Sequence, residues 1–386
     1  VSTAGDWAAS GVLALTGRAD GPPLLPPGRA ATVAGELADR FAERTGVRVD
    51  GAALLAERAA FTGGRRRGAV SVGGSCRLLP TADGWAAVSC ARPDDPALLG
   101  ALVGRELPGD PWPEVAAWLR EHPGAVLAER AELLGVAAAP VAPRRAPQVL
   151  PEPPHRPVAG LLVADFSALW AGPLCTSLLA LAGARVVKVE TPGRPDGARY
   201  GHPGFYRLLH AGTRSVVLDP ASATGRSALA RLVDAADVVV EASRPRALAA
   251  WGLDAAAAVA AGTTWISLTA AGRGSGRVGF GDDVAAAAGL VASDTDGTPL
   301  FCGDALADPL TGLTAAVLAT TAPADGSGVL HDVSMTDVVA RTLDGTPSWP
   351  AGDLPVALPR RREPAGDAPV AGADTADVLR ELGLPC

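Results

Sequence analysis

Between residues 160 and 269 the chain carries five short apolar runs rich in β-branched residues: GLLVADF (160–166), RVVKVE (185–190), RSVVLD (214–219), DVVVEA (237–242) and TTWISLT (263–269). Each is apolar at consecutive positions, and the stretches between them have a helical pattern. Strands apolar on both faces and separated by crossover lengths of chain belong to a parallel sheet covered on both sides. The first crossover is predicted as a helix that begins near Pro173, runs through LCTSLLALAG and stops at Gly183. Proline suits a first helical turn and glycine a C-terminal cap. The predicted fold class is α/β, with a Rossmann-like parallel sheet domain.

Upstream the pattern changes. A helical VAGELADRFAERTG (33–46), a strand-like GWAAVSC (84–90) and helices around PEVAAWLREH and AVLAERAELLG read as a second, smaller α+β domain placed N-terminally. Prolines crowd 140–157, where helix and central strand are both disfavoured and an extended connector is expected. A second proline-rich run, Pro347 to Pro369, precedes ADTADVLRELGL, which reads as a capped amphipathic helix that docks on the body. The expected organisation is an N-terminal region with a partial repeat and the small domain (1–142), a linker (143–157), the Rossmann-like domain (158–345), and a connector with a C-terminal helix (346–386).

With 386 residues, 48% of them hydrophobic, the chain has ample material for a packed core. No run of 18 or more apolar residues occurs, and VSTAGDWAASG lacks the basic start and apolar centre of a signal peptide. We therefore expect a cytoplasmic protein with no membrane partner. The net charge is −7, and the triple arginines at 65–67 and 360–362 are short and isolated, so nucleic acid is not an expected partner. Cys76, Cys90, Cys175, Cys302 and Cys386 show no paired spacing, and the five histidines no HxH or HxxxH. No metal site is expected. Lys188 is the only lysine among many arginines, a sign of coding bias more than of chemistry.

Candidate chemistry centres on FCGDALADPLTGL (301–313). Asp308 precedes Pro309 and a helical run, the pattern of an N-cap. The same backbone amides and helix dipole favour an ionised carboxylate, which a nucleophile needs. Asp282 and Asp283 open another helix, where adjacent acids usually lie on the surface and favour the dipole. Glu190 ends the first βα unit about where a dinucleotide-binding fold has its ribose-binding acid, but the turn SALWAGP lacks GxGxxG, which disfavours a nicotinamide or flavin site. GRGSG (272–276) reads as a plain loop. An internal repeat relates WAASGVLALTGRADGPPLL (7–25) to VAAAAGLVASDTDGTPLF (284–301), with Thr32 at the position matching Asp308.

Six motifs in order resemble the family III CoA-transferases, the superfamily of formyl-CoA and carnitine CoA-transferases and α-methylacyl-CoA racemases. They are VADFSALWAGPLCTSLLALAGARVVKVETPG, TRSVVLD, ADVVVEASRP, ISLTAAGRGSG, DGTPLFCGDALADPLTG and DVSMTD (332–337), and the tail GADTADVLRELG looks like the family's closing helix. Residues 73–143 resemble the family's small domain, here ahead of the nucleotide-binding domain instead of behind it. The resemblance implies that Asp308 attacks an acyl-CoA thioester to give a mixed anhydride and then an aspartyl thioester, from which a carboxylic acid takes CoA. It implies coenzyme A, as substrate thioester, at Trp170, Ala171, Thr191, Arg194, Leu218, Ala242, Ser243 and Arg244, with Arg199 an alternative for the phosphates and Arg214 at a further basic position. Members of the family are interlocked homodimers, so a homodimer is expected here, with interlocking left open by the moved small domain. The resemblance also implies a GGS turn (73–75) approaching Asp308, and pocket residues are expected from the small domain and from loops around Phe205, Tyr206 and Trp265. The racemase branch has histidine where this chain has Asp282, which favours transfer over racemisation. The alternatives are a racemase or isomerase using Asp308 with Asp282 or Asp283, and a non-catalytic CoA-binding scaffold.

Overall fold

The computed structural model describes residues 2–142, 154–243 and 245–384. Most of the predicted linker, residues 143–153, and Arg244 lie outside the described residues. Leu24–Leu25 (β1) pairs with Trp349–Pro350 near the far end of the chain. Cys76–Pro80 (β2), Trp85–Ser89 (β3) and Ala138–Pro140 (β4) form a small antiparallel sheet. The main sheet contains Leu162–Phe166 (β5), Arg185–Glu190 (β6), Arg214–Val217 (β7), Val238–Glu241 (β8) and Thr264–Thr269 (β9). After a hairpin of Val291–Ser293 (β10) and Pro299–Phe301 (β11), the chain adds Val329–Ser334 (β12) at its edge.

The strand order is β12-β9-β8-β5-β6-β7, with every neighbour parallel. Renumbered from β5, this is the doubly wound order in which the chain leaves the first strand toward both edges. The reason for the consecutive apolar runs is visible in the cores. Val163, Val238, Val240 and Ile266 face one cluster, while Ala164, Val239 and Trp265 face another on the opposite side. The sixth strand, VLHDVS, is apolar only at Val329, Leu330 and Val333 and is buried only at its last two positions, so it lacks the continuous apolar run of the other strands. The helix after β5 spans Ala171–Leu181. It starts two residues before the predicted Pro173, which falls within the first turn, and Gly183 follows its end at φ 90°.

The N-terminal helices do not stand apart. Trp7, Phe41 and Leu55 share one core with Leu174, Leu310 and Leu313, whereas Val88, Leu99, Leu119 and Leu127 form a separate core under the small sheet. The C-terminal helix, Thr375–Glu381, docks on the β7 edge. Asp374 N–H donates to Ser215 O at 2.9 Å, and the Asp374 and Thr375 side chains accept from the Ser215 and Val217 amides at 2.8 and 3.1 Å. Among the described residues no helix is long and apolar enough to cross a membrane.

Candidate active site

Asp308 is the second residue of a helix spanning Ala307–Ala319, and Leu306 holds the N-cap position without a side-chain bond. The predicted N-cap is therefore corrected: the helix starts earlier because Ala305, at φ 51°, turns the chain into it, and Asp308 N–H already donates to Ala305 O at 2.9 Å. Ala305 and Leu169 (φ 69°) are the two non-glycine residues with positive φ among those described. They precede the two helices that meet at this carboxyl group. A left-handed backbone at a residue with a side chain costs energy and is found where surrounding packing enforces it. That packing is close: a Cβ on Gly312 would lie 2.7 Å from Ala171 O and 3.0 Å from Leu174 Cβ. The Ala171–Leu181 helix is thereby pressed onto the Asp308 helix, and the Ala171 backbone amide favours the charged form of the Asp308 carboxyl group.

Asp282 and Asp283 open a helix spanning Gly281–Ala287 and are buried, which corrects the expectation of surface acids. Asp282 Oδ1 accepts from Ala305 N–H at 2.9 Å, tying this helix to the turn before Asp308. Asp283 Oδ1 accepts from Ser89 Oγ at 2.8 Å and Phe280 N–H at 2.9 Å, and Oδ2 lies 3.8 Å from Arg277 Nη2. Ser89 ends β3, so Asp283 fastens the small domain to the large one. Gly281 carries no side chain because none fits: a Cβ there would lie 2.6 Å from Ala305 O and nearer still to Asp308 Oδ2.

Burial governs the charges. It pushes Asp308 up to about 7, with Asp282 and Asp304 adding to the rise and Arg58 opposing it. Asp282 is pushed up to about 6 by burial and by Asp304, and Asp283 to about 6 by burial. The expectation that amides and dipole alone hold Asp308 ionised is thus corrected. Loss of hydration outweighs them, and two further carboxyl groups, Asp282 and Asp304, add to the rise. Asp308 itself is only partly buried, while Asp282, Asp283 and Asp304 are buried.

The counter-charge is Arg58, on a helix spanning Glu57–Thr62 in the N-terminal region. Its Nε donates to Asp304 Oδ2 at 2.9 Å and its Nη2 to Oδ1 of the same carboxylate. Its guanidinium lies 5.0 Å from the Trp170 ring centre. A Cβ on Gly73 would stand 3.7 Å from Arg58 Nη2, so the GGS turn lies beside Arg58. Sequence reading missed Arg58: it lies 246 residues from Asp304, and nothing in AERAAF marks it.

The predicted CoA positions gather at one edge of the sheet. Trp170 and Ala171 follow β5, Thr191 and Arg194 follow β6, Leu218 follows β7, and Ala242 and Ser243 follow β8. These are the carboxyl ends of four adjacent parallel strands, and the crevice between β5 and β8 is the switch point where doubly wound folds take ligands. Arg194 and Ala242 are exposed there. Trp170, Thr191 and Leu218 are buried, so they shape the edge more than they face outward. Trp170 meets Phe205 edge-on at 5.3 Å, and its indole Nε1 has no hydrogen-bond partner.

Other expectations change. Arg199 is committed to Glu190, with Nε at 2.9 Å from Oε1. Arg214 begins β7 and so sits at the opposite edge of the sheet, where it pairs with Glu381 at 2.7 Å. Trp265 is not a pocket residue: its ring is in the core and Nε1 donates to Glu241 Oε1 at 3.0 Å. The GRGSG loop is anchored, with Gly276 N–H donating to Glu132 Oε1 at 2.6 Å and Arg273 N–H to Asp332 Oδ2 at 2.9 Å. In the repeat, Thr32 Oγ1 donates to Asp6 Oδ2 at 2.6 Å, a plain side-chain bond where the second copy has its carboxylate cluster.

A doubly wound sheet with a half-buried carboxylate where two helix N-termini meet defines a Rossmann-like α/β protein with a site at the carboxyl edge of its strands. The chain belongs to CoA-transferase family III, whose model matches residues 158–372. It is 29% identical over 209 residues to a succinyl-CoA–D-citramalate CoA-transferase of Chloroflexus aurantiacus, covering 50% of this chain and 52% of that protein. It is 30% identical over 184 residues to a formyl-CoA:oxalate CoA-transferase of Escherichia coli, covering 41% of each. The chain spans about half the length of the curated relatives it matches. Among solved structures it is similar to a CAIB/BAIF family protein from Brucella suis (28% identity, TM-score 0.45, covering 50% of this chain and 56% of that one). It is also similar to Rv3272 from M. tuberculosis (31% identity, TM-score 0.43, 49% and 56%).

Proposed function

We propose that the chain is a CoA-transferase that moves CoA from an acyl-CoA donor to a carboxylic acid acceptor, with Asp308 as nucleophile. The observation that carries this reading is the setting of Asp308: half-buried, inside the family-matched segment, at the N-terminal turn of its own helix, with the Ala171 amide of a second helix favouring its charged form. The Asp308 carboxylate adds to the thioester carbonyl and expels CoA thiolate, leaving a mixed anhydride. The thiolate attacks the aspartyl carbonyl, releasing the donor acid and leaving an aspartyl thioester. The acceptor carboxylate attacks this thioester and expels the thiolate again, which collects the acceptor acyl group and frees Asp308. Each step breaks one acyl bond as it forms another, so no external energy source is required. The Ala171 amide, which favours negative charge on the Asp308 carboxyl group, is the donor assigned to the oxyanion that develops on the aspartyl carbonyl.

The test is thioester exchange between an acyl-CoA pool and free acids, with hydroxylamine trapping and peptide mapping over 301–313. Modification or cleavage at Asp308, lost together with exchange in Asp308→Ala, supports the reading. Exchange that survives Asp308→Ala overturns it. One observation favours a second reading, acyl-CoA racemisation: Asp282 and Asp308, held near 6 and 7, are matched to exchange protons at neutral pH. Failure of an acyl-CoA α-proton to exchange in deuterated water rules that out.

A further inference from the structure

Three acids, Asp282, Asp304 and Asp308, crowd around a single arginine in a largely buried site. If all three were ionised, Arg58 would leave two negative charges uncompensated, an arrangement that burial makes costly. The arginine is not shared equally. Its fork of Nε and Nη2 is closed on Asp304, which is 1% exposed, while the Arg58 side chain keeps 28% exposure and faces the Trp170 ring. Trp170 directly precedes Ala171, whose amide favours the charged form of Asp308. Beyond these, Asp283 follows Asp282 on the same helix and is faced by Arg277 at 3.8 Å.

We propose that Arg58, from outside the family-matched segment, is the positioning residue that holds Asp308 in its reactive carboxylate form, and that Asp304 limits how much of the Arg58 charge reaches it. This rests on the reading of Asp308 as nucleophile. The two residues then act in opposite directions on one carboxyl group. Removing the arginine takes away the one positive charge that faces the three acids and leaves the Asp304 charge uncompensated beside Asp308, so Asp308 becomes harder to ionise. Removing the Asp304 charge leaves Arg58 facing only Asp282 and Asp308, so Asp308 becomes easier to ionise. A pair that merely held two segments together would have no such opposed effects.

The experiment is a pH titration of the full chain, labelled with carboxyl-13C aspartate and free of CoA, with the Asp308 resonance identified by its loss in Asp308→Asn. The Asp308 midpoint is expected to rise by about 1 pH unit or more in Arg58→Met, to stay near the parent in Arg58→Lys, and to fall in Asp304→Asn. The proposal is overturned if the midpoint is unmoved in Arg58→Met, or if it stays put or rises in Asp304→Asn. If Arg58→Met does not fold, Asp304→Asn and Arg58→Lys decide the matter by the same criterion. Because no CoA chemistry enters the readout, exchange surviving Asp308→Ala refutes the transferase reading separately.

Discussion

Gly281→Ala is a one-methyl perturbation aimed at Asp308, the proposed nucleophile. The new Cβ would stand 2.6 Å from Ala305 O and 2.7 Å from Ala305 Cβ, and closer still to Asp308 Oδ2. Normal van der Waals separation for such pairs is about 3.5–4.0 Å, so the neighbours must yield by roughly an ångström. Asp308 alone can swing its carboxyl group aside. The Ala305 carbonyl cannot, because it is backbone, sits in a positive-φ turn and accepts from Asp308 N–H. Overpacking of this kind costs about 1–3 kcal/mol, read as a lowered denaturation midpoint with unchanged slope. The catalytic consequence is larger: displacing a reacting group by about 1 Å costs on the order of 100-fold. Thioester exchange should therefore fall by about two orders of magnitude in a protein that still folds. Parental exchange and parental stability together would refute both the contact and the assignment of Asp308.

Asp308→Asn should stabilise the protein at alkaline pH while abolishing exchange. The folded-state pKa of about 7 lies above the ordinary 3.8, so the folded state binds the extra proton between roughly pH 4 and 7 and stability falls as pH rises through that window. Guanidinium denaturation should show the variant ahead by about 1–3 kcal/mol at pH 8 and the gap shrinking by pH 5; a gap that widens toward acid contradicts the sign. Ser89→Ala removes one of the two hydrogen-bond donors to the buried Asp283 Oδ1 and should cost about 1–3 kcal/mol in equilibrium unfolding. Glu132→Ala releases the Gly276 amide, so amide exchange over 272–277 should accelerate while global stability changes little; unchanged exchange there argues against anchoring by Glu132.

The sheet was legible because parallel strands buried on both faces must be apolar throughout. Five of its six strands announced themselves, with ends within two residues of those observed. VLHDVS, at the sheet's edge, is only half covered and shows no such pattern. Asp308 and the paired acids were visible as residue types at helix starts, but their environment was not. The same motif, an acid beside a proline, serves a solvent-exposed cap or a half-buried carboxyl group, and the difference lies in what packs over it. Here that is Gly281, Ala171 and Arg58, drawn from three distant parts of the chain.

Local sequence thus determined the fold class, the strand runs and the carboxylates available for chemistry, since periodicity and caps act over a few residues. Tertiary structure decided which carboxylates share a site, which arginine serves them and how they are charged. Desolvation and Coulomb interaction depend on distance in space, and Arg58 reaches Asp304 across 246 positions of chain.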